Sequence, residues 1–240
     1  MVLTLLIASL VRSAIGFGEA SIAVPLLAFF VPLEVAAPLA VLVSICIATI
    51  VVIQDWKKIH LMSAGWLLLA TVFGVPLGLM LLKSRHQLMV KATLAAIILA
   101  FSIYSLIGRA PLDLKRDHRG WLLGCGFVAG VLGGADGMNG PPLAIYGTMR
   151  RWTAQHFRAT LQGYFLPASV IGMSGYWLAG LWTRTVTHYF LISVPAVLLG
   201  VAIGRVINHR LRDEIFLKYV YMGLAITGAL LLIQVAKGRF

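Results

Sequence analysis

The sequence has very little charge. Charged residues make up 12% of the 240 residues, whereas soluble domains average about a quarter. Acidic residues are the scarcest, with eight Asp and Glu against 20 Lys and Arg. Hydrophobic residues make up 60% of the chain, well above the roughly 45–50% of a soluble protein. This composition excludes an ordinary soluble domain and predicts a polytopic protein of the lipid bilayer.

Several kinds of chemistry lack the residues that they need. The chain has no G-x-x-x-x-G-K-[ST] loop for nucleotide phosphates, no H-E-x-x-H and no C-x-x-C. Its six histidines have no metal-ligand spacing, and its two cysteines, Cys46 and Cys125, lie inside apolar runs, where a structural disulfide is not expected. We therefore expect no enzymatic activity, no cofactor and no metal site.

The basic residues are placed as in a membrane protein. A formal net charge of +12 would raise nucleic acid as a partner of a soluble chain. Here Lys and Arg cluster in short loops between apolar runs, which is typical of loops beside anionic lipid. The lipid bilayer is therefore the expected partner, and nucleic acid is not.

Hydropathy predicts ten helical segments. The apolar stretches cover 2–15, 20–31, 35–53, 62–82, 88–107, 119–132, 139–149, 159–181, 186–204 and 214–236. A spanning helix needs about 20 residues, so the four shortest stretches are interpreted as half-helices or re-entrant segments. They form two pairs, and each pair is split by glycines and one acidic residue.

The two breaks have related sequences. The first break runs from Ile15 to Ser21 and the second from Gly133 to Gly140. At an offset of 117 the matching pairs are Gly16 with Gly133, Glu19 with Asp136, Pro25 with Pro142 and Leu26 with Leu143. Such internal similarity predicts a duplicated unit, with repeats at 1–108 and 119–240 joined by a polar linker at 109–118. Chance similarity of two apolar, glycine-rich halves is the alternative.

Loop charge bears on the orientation of the two repeats, because Lys and Arg accumulate in cytoplasmic loops. If both broken segments are re-entrant hairpins, twelve basic residues share one face and five share the other. If both span the membrane, the basic residues divide almost evenly. The count favours the hairpins, in which case the second repeat is inverted relative to the first, as in many secondary transporters.

The breaks predict a central binding site. Unwound backbone in a bilayer is tolerated only where it is buried or lines a wet cavity, and equivalent breaks in two repeats are typical of transporter binding sites. The half-helix after each break directs free N–H groups towards the cavity, which suits an anion. The candidate substrate-binding residues of the breaks are Gly16, Phe17, Gly18, Ser21, Gly133, Gly134, Gly137 and Asn139. The alternative is close helix packing, which is our interpretation of Gly74, Gly78, Gly200 and Gly204.

Ionisable residues within a membrane are costly and are therefore functional candidates. Glu19 and Asp136 are candidates for proton coupling, with helix capping as the alternative. Three roles are open for the Arg12 side chain: it pairs with Glu19, extends to the membrane interface or binds the anion directly. Arg158 and Gln162 are candidates for anion contact. A position in a cytoplasmic loop is equally compatible with Arg158, and the twelve basic residues of the loop count include it. Weaker polar candidates, for which interhelical hydrogen bonding is the alternative, are Ser44, Thr49, Tyr164 and Ser169.

Three stretches carry a resemblance to a known family. They are Ile15–Glu19 with Pro25 and Leu26, Gly133–Gly137 with Pro141 to Leu143, and Phe157–Thr160. With these stretches the whole chain resembles the sulfite exporter TauE/SafE family of membrane transporters. The resemblance implies movement of a sulfur-containing anion, such as sulfite or a sulfonate, across the bacterial inner membrane. Phe17 and Glu19 stand where the family has small residues, which leaves the exact anion open.

The prediction is an all-α membrane protein, a polytopic helix bundle of two homologous, inverted repeats that each open with a glycine-broken, re-entrant helix. Its expected function is that of a secondary transporter that exports sulfite or an organosulfonate across the bacterial inner membrane by alternating access. An anion channel and a non-transporting membrane partner subunit are the alternatives. The expected partners are a small anionic substrate and the bilayer, and a homo-oligomer is left open.

Overall fold

The computed structural model describes residues 1–82, 87–107, 114, 118–136 and 139–236. These residues form ten α-helices, one short 3-10 helix at Trp56–Lys58, and no strand. The helices are α1 Val2–Ile15, α2 Glu19–Leu27, α3 Leu33–Asp55, α4 Leu61–Leu82, α5 Gln87–Leu106, α6 Arg119–Asp136, α7 Gly140–Met149, α8 Ala154–Leu178, α9 Arg184–Arg210 and α10 Asp213–Ala236. Each corresponds to one predicted apolar stretch, so the all-α fold class is confirmed.

Four stretches of helix among the described residues are long and apolar enough to cross a membrane. They are Leu33–Lys58, Leu61–Gly78, Arg184–Arg210 and Asp213–Ile233. Large apolar side chains are exposed along them, including those of Phe73 and Leu191. Such exposure is expected where lipid rather than water surrounds a helix. The chain is therefore a polytopic helical membrane protein.

The first break is a tight turn between α1 and α2. Gly16 and Gly18 have φ angles of 100° and 94°, a left-handed region that costs other residues roughly 1–2 kcal/mol. Gly16 ends α1 by donating its N–H to the Arg12 carbonyl at 2.7 Å, and Gly18 precedes α2. Phe17 between them is only 3% exposed. Both glycines thus let the chain turn without leaving the protein interior.

The second break is shorter than predicted. Gly133 and Gly134 lie in the last turn of α6, which continues to Asp136. Two glycines in succession do not end this helix, because α4 packs closely against it there: a Cβ atom built on Gly78 would lie 3.0 Å from the Gly134 Cα. Asn139 directly precedes α7, which has prolines in its first turn, where a missing N–H costs no helical hydrogen bond. Residues 137 and 138 lie outside the described residues.

The helices group into two compact units, each assembled from both predicted repeats. The first unit comprises Met1–Ala64 and Ala154–Leu211, and in it α1 packs against α9 and α3 packs against α8. Its apolar core draws on α1, α2, α3, α8 and α9. The second unit comprises Gly65–Thr153 and Arg212–Phe240, and in it α5 packs against α10 and α7 against α6. The compact units therefore differ from the predicted repeats, whose boundaries stay a prediction.

Glycines at the predicted packing positions lie directly against neighbouring helices. In the first unit, a Cβ atom built on Gly200 would lie 2.1 Å from the Ser9 Oγ of α1. In the second unit, a Cβ atom on Gly74 of α4 would lie 2.2 Å from the Phe127 carbonyl oxygen of α6. Both distances are too short for any side chain. The interpretation of these glycines as close-packing residues is confirmed.

We expect Gly74→Ala and Gly200→Ala each to destabilise the protein by about 1–3 kcal/mol, because overpacking forces the helices apart. The measurement is the unfolding of purified protein in detergent. Gly172→Ala is the matched control, because a Cβ atom there meets no atom within 4 Å. Equal stability of all three variants would show that the helices do not pack this closely.

Candidate functional site

A buried ion pair connects the two sides of the first break. Arg12, in the last turn of α1, is 5% exposed, and Glu19, the first residue of α2, is 2% exposed. The Arg12 Nη1 donates a hydrogen bond to the Glu19 Oε2. Of the three readings of Arg12, pairing with Glu19 is therefore confirmed, and extension of the side chain to the membrane interface was wrong. The Glu19 carboxylate binds the guanidinium instead of the N-terminal N–H groups of α2.

Two further helices supply polar partners for Arg12. Its Nε donates to the Gln162 Oε1 of α8 at 3.0 Å, and its Nη1 also donates to the Ser44 Oγ of α3. The Ser44 hydroxyl is hydrogen-bonded to the Ser169 hydroxyl at 3.0 Å. The guanidinium lies over the Phe165 ring, 4.8 Å from its centroid, a favourable cation–π geometry. These contacts hold the cation in place within the first compact unit, and we name Arg12, Glu19, Ser44 and Gln162 the Arg12 site.

Gln162 joins the Arg12 site to the unwound backbone. Its Nε2 donates to the Gly16 carbonyl oxygen at 2.8 Å, so one side-chain amide satisfies both the guanidinium and a carbonyl that no helical N–H reaches. Phe157, on the same helix, lies against Gly16 and Phe17, with the two phenyl centroids 6.5 Å apart. The structure thus brings together the predicted residues Gly16, Phe17 and Gln162. The Phe157 ring covers the first two of them.

Two polar atoms of the Arg12 site have no hydrogen-bond partner among the described residues. They are the Nη2 of Arg12 and the Oε1 of Glu19, and both are buried. A buried polar atom without a partner costs roughly 1–3 kcal/mol, and more if the group is charged. An unsatisfied guanidinium N–H is a donor for an acceptor anion. The site therefore offers one hydrogen-bond donor and one acceptor that have no partner among the described residues.

Arg158 forms a second buried ion pair in the same compact unit. It is fully buried in the second turn of α8, so its count among the loop charges was wrong. Its Nη1 donates to the Asp55 Oδ2 at 2.7 Å, and its Nη2 donates to the Ser13 Oγ at 3.1 Å. Ser13 is adjacent to Arg12 in α1, and Gln162 lies one turn beyond Arg158 in α8. Arg12 of α1 thus bonds to α8, and Arg158 of α8 bonds to α1 at the residue next to Arg12.

Asp55 is a site residue that sequence reasoning missed. It ends α3 just beyond the predicted apolar stretch 35–53, and Lys57 and Lys58 follow closely. Such a polar sequence is typical of a loop. Its side chain is only 3% exposed. The scarcity of acidic residues could have identified Asp55 as a candidate, because the chain has only eight of them.

The remaining candidates lie apart from these contacts or outside the described residues. Ser21 is half-buried in the first turn of α2. In the second compact unit, a Cβ atom on Gly133 would lie 3.3 Å from the Asn139 Cβ, so these two residues approach each other, and Gly134 follows Gly133 in α6. Gly137 and the side chain of Asp136 lie outside the described residues. Their substrate and coupling roles stay predictions.

Removal of one partner of the buried ion pair is expected to be strongly destabilising. Arg12→Met leaves the Glu19 carboxylate uncompensated, and we expect it to lower the free energy of unfolding by about 3–5 kcal/mol. The double variant Arg12→Met/Glu19→Met should recover most of this loss, because neither charge remains buried. Unfolding of the purified variants in detergent measures both effects. Strictly additive losses would show that the two side chains do not interact.

Comparison with known proteins identifies the family. The model of the family described as sulfite exporter TauE/SafE matches residues 1–231, which is nearly the whole chain. The curated proteins and the solved structures contain no significant match. The family consists of membrane transporters for sulfite-type anions, and the buried guanidinium at a broken helix accords with an anionic substrate. This chain belongs to the sulfite exporter TauE/SafE family.

Proposed function

We propose that the protein is a secondary transporter that exports a small sulfur oxyanion, sulfite or an organosulfonate, across the bacterial inner membrane by alternating access. The observation that carries the proposal is the Arg12 site. A guanidinium lies buried beside an unwound segment and retains an N–H group without an acceptor among the described residues.

The proposed substrate contacts centre on Arg12. Its planar guanidinium presents paired N–H donors that match the oxygens of an oxyanion. The start of α2 lies beside it, so backbone N–H groups from Gly18 to Ser21 contribute further donors and a positive helix dipole. Phe165 supplies apolar surface beside the cation, and Phe17 supplies a buried ring in the break itself. Such a surface favours the organic part of a sulfonate.

Glu19 is the proposed proton-coupling group. In the structure its carboxylate binds the guanidinium, so it occupies the position that a substrate anion needs. Two anions compete for one buried cation, because a second negative charge there would be uncompensated. Protonation of Glu19 removes this competition and releases Arg12 for the substrate. For a monoanion, such as hydrogen sulfite or a sulfonate, the loaded and the empty site then carry the same net charge, so one proton is bound with each anion.

The other predicted residues complete the proposal. Gln162 positions Arg12 through its amide and lies within reach of a bound anion. Arg158 contacts the anion through its Nε, which has no hydrogen-bond partner among the described residues. In the second compact unit, the second break supplies its own candidate residues for anion binding, Gly133, Gly134, Gly137 and Asn139, and Asp136 is its candidate for coupling.

The test is uptake of labelled sulfite into proteoliposomes with and without an imposed pH gradient, with taurine-like sulfonates and acetate as competitors. We expect saturable uptake that the inwardly directed proton gradient accelerates. Uptake that does not saturate would indicate an anion channel. Absence of flux for every anion would indicate a non-transporting partner subunit.

Glu19→Gln should uncouple transport from the proton gradient while sulfite exchange continues, because a neutral amide resembles the protonated carboxyl. Glu34→Gln is the matched control, since Glu34 is an exposed residue in the first turn of α3, and it should retain normal coupling. Asp136→Asn is measured in the same way. Normal proton dependence in both the Glu19 and the Asp136 variants would remove the coupling role of these residues.

Arg12→Gln should raise the sulfite KM by about 10- to 100-fold, since hydrogen bonds to charged groups contribute about 1.5–3 kcal/mol. The initial rate of uptake as a function of sulfite concentration measures this change. An unchanged KM would place the substrate away from Arg12.

A further inference from the structure

Four basic side chains surround the carboxylate of Asp55. The atoms that approach it are Arg158 Nη1 at 2.7 Å, Lys58 Nζ at 3.3 Å, His209 Nε2 at 3.9 Å and Arg205 Nη2 at 4.0 Å. They come from the 3-10 helix after α3, from α8 and from α9. We name these five residues the Asp55 cluster, and all of them belong to the first compact unit.

The Asp55 cluster has too few negative charges for its positive ones. Lys58, Arg158 and Arg205 exceed the single carboxylate by two charges, before His209 is considered. No other carboxylate lies within ion-pair distance of these three cations in the part of the chain that the structure describes. Like charges held around one site repel each other, and an opposite charge between them is favourable. A second anion would therefore stabilise the cluster.

The cluster is buried on one side and open on the other. The Asp55 and Arg158 side chains are 3% and 0% exposed, whereas those of Lys58, Arg205 and His209 are 32%, 39% and 31% exposed. The Nε of Arg158 is buried and has no hydrogen-bond partner among the described residues. Donors that are about one-third exposed thus form the rim of a site whose inner side is a fully buried guanidinium.

We propose that the Asp55 cluster is a second oxyanion-binding site. Its donors are two guanidinium groups, one ammonium and one imidazole, which favour the multiple oxygens of a sulfite, sulfate or phosphate group. The anion binds at the rim formed by Lys58, Arg205 and His209, and it shares Arg158 with the Asp55 carboxylate.

The position of the cluster makes it an entrance to the Arg12 site, a role that rests on the proposed function. Arg158 also donates to Ser13, which is next to Arg12, and Gln162 follows one turn later in α8. An anion at the rim therefore contacts an arginine that is itself hydrogen-bonded to the residue next to Arg12. Binding at the rim does not itself depend on transport.

The test is equilibrium binding of labelled sulfite to the full chain in phosphatidylcholine nanodiscs. Lys58→Gln/Arg205→Gln removes two rim cations that are one-third exposed. The matched control is Lys57→Gln/Arg210→Gln, because Lys57 lies over the Trp56 ring instead of the carboxylate and Arg210 is an exposed residue of the same helix as Arg205. Unfolding midpoints of the two variants are compared, so that loss of the fold is distinguished from loss of the site.

Each variant is also made in an Arg12→Gln background, which separates the two sites. The unfolding midpoint of this background is measured as well, because loss of Arg12 leaves Glu19 uncompensated. We expect Arg12→Gln to retain one class of bound sulfite. The rim variant should weaken that class at least about tenfold, which is about 1.4 kcal/mol, and the control should not change it. If Arg12→Gln binds as much sulfite as the unmodified chain, the proposed function loses its Arg12 site, whereas the rim comparison still decides this proposal.

Nanodiscs with added phosphatidylglycerol distinguish the source of the oxyanion. Competition between this lipid and sulfite that depends on Lys58 and Arg205 would assign the site to a headgroup phosphate. Undiminished sulfite binding would assign it to a soluble anion. Equal sulfite affinity of the rim variant and the control, in both lipid compositions, would overturn the proposal.

Discussion

The buried pair of Arg12 and Glu19 is the interaction on which the first compact unit depends. Two charges removed from water require close approach and additional hydrogen bonds to offset their desolvation. Close approach requires a turn between the two residues, which Gly16 and Gly18 allow through their left-handed backbone. The additional hydrogen bonds come from Ser44 and Gln162. The break and the contacts of α3 and α8 with Arg12 therefore all help to offset the desolvation of one buried ion pair.

Helix α8 is the structural complement of that pair. Arg158, Gln162 and Ser169 are separated by four and seven residues, which places them along one helical face, and each makes a hydrogen bond to α1 or α3. This polar face explains why α8, with 25 residues, is not among the helices that are apolar enough to span by composition alone. Its polar residues contact other helices instead of lipid. The position of such a helix in the fold is determined mainly by its polar contacts with neighbouring helices.

Much of the fold was predictable because lipid imposes a simple rule on sequence. Apolar stretches bounded by charge or glycine located all ten helices, and the acid in the first break suggested the partner of Arg12. The pair of Arg158 and Asp55 was not predictable, since 103 positions separate these residues and only the packing of α3 on α8 brings them together. The end of α6 was also missed, because Gly133 and Gly134 are helical where tertiary contacts support them. No local sequence pattern predicts that each compact unit combines helices from both halves of the chain.

This grouping has a consequence for synthesis. The first 64 residues contain α1 to α3, but the helices that cover them, α8 and α9, begin at residue 154. Until those later helices leave the ribosome, Arg12 has no Gln162 and the close-packed face of α1 has no α9. The early helices therefore wait in the membrane with an incompletely satisfied ion pair for about half of the chain to be made. Final packing of this unit is a late, non-local event, and a partially synthesised chain exposes its most polar surface to lipid or to a membrane chaperone.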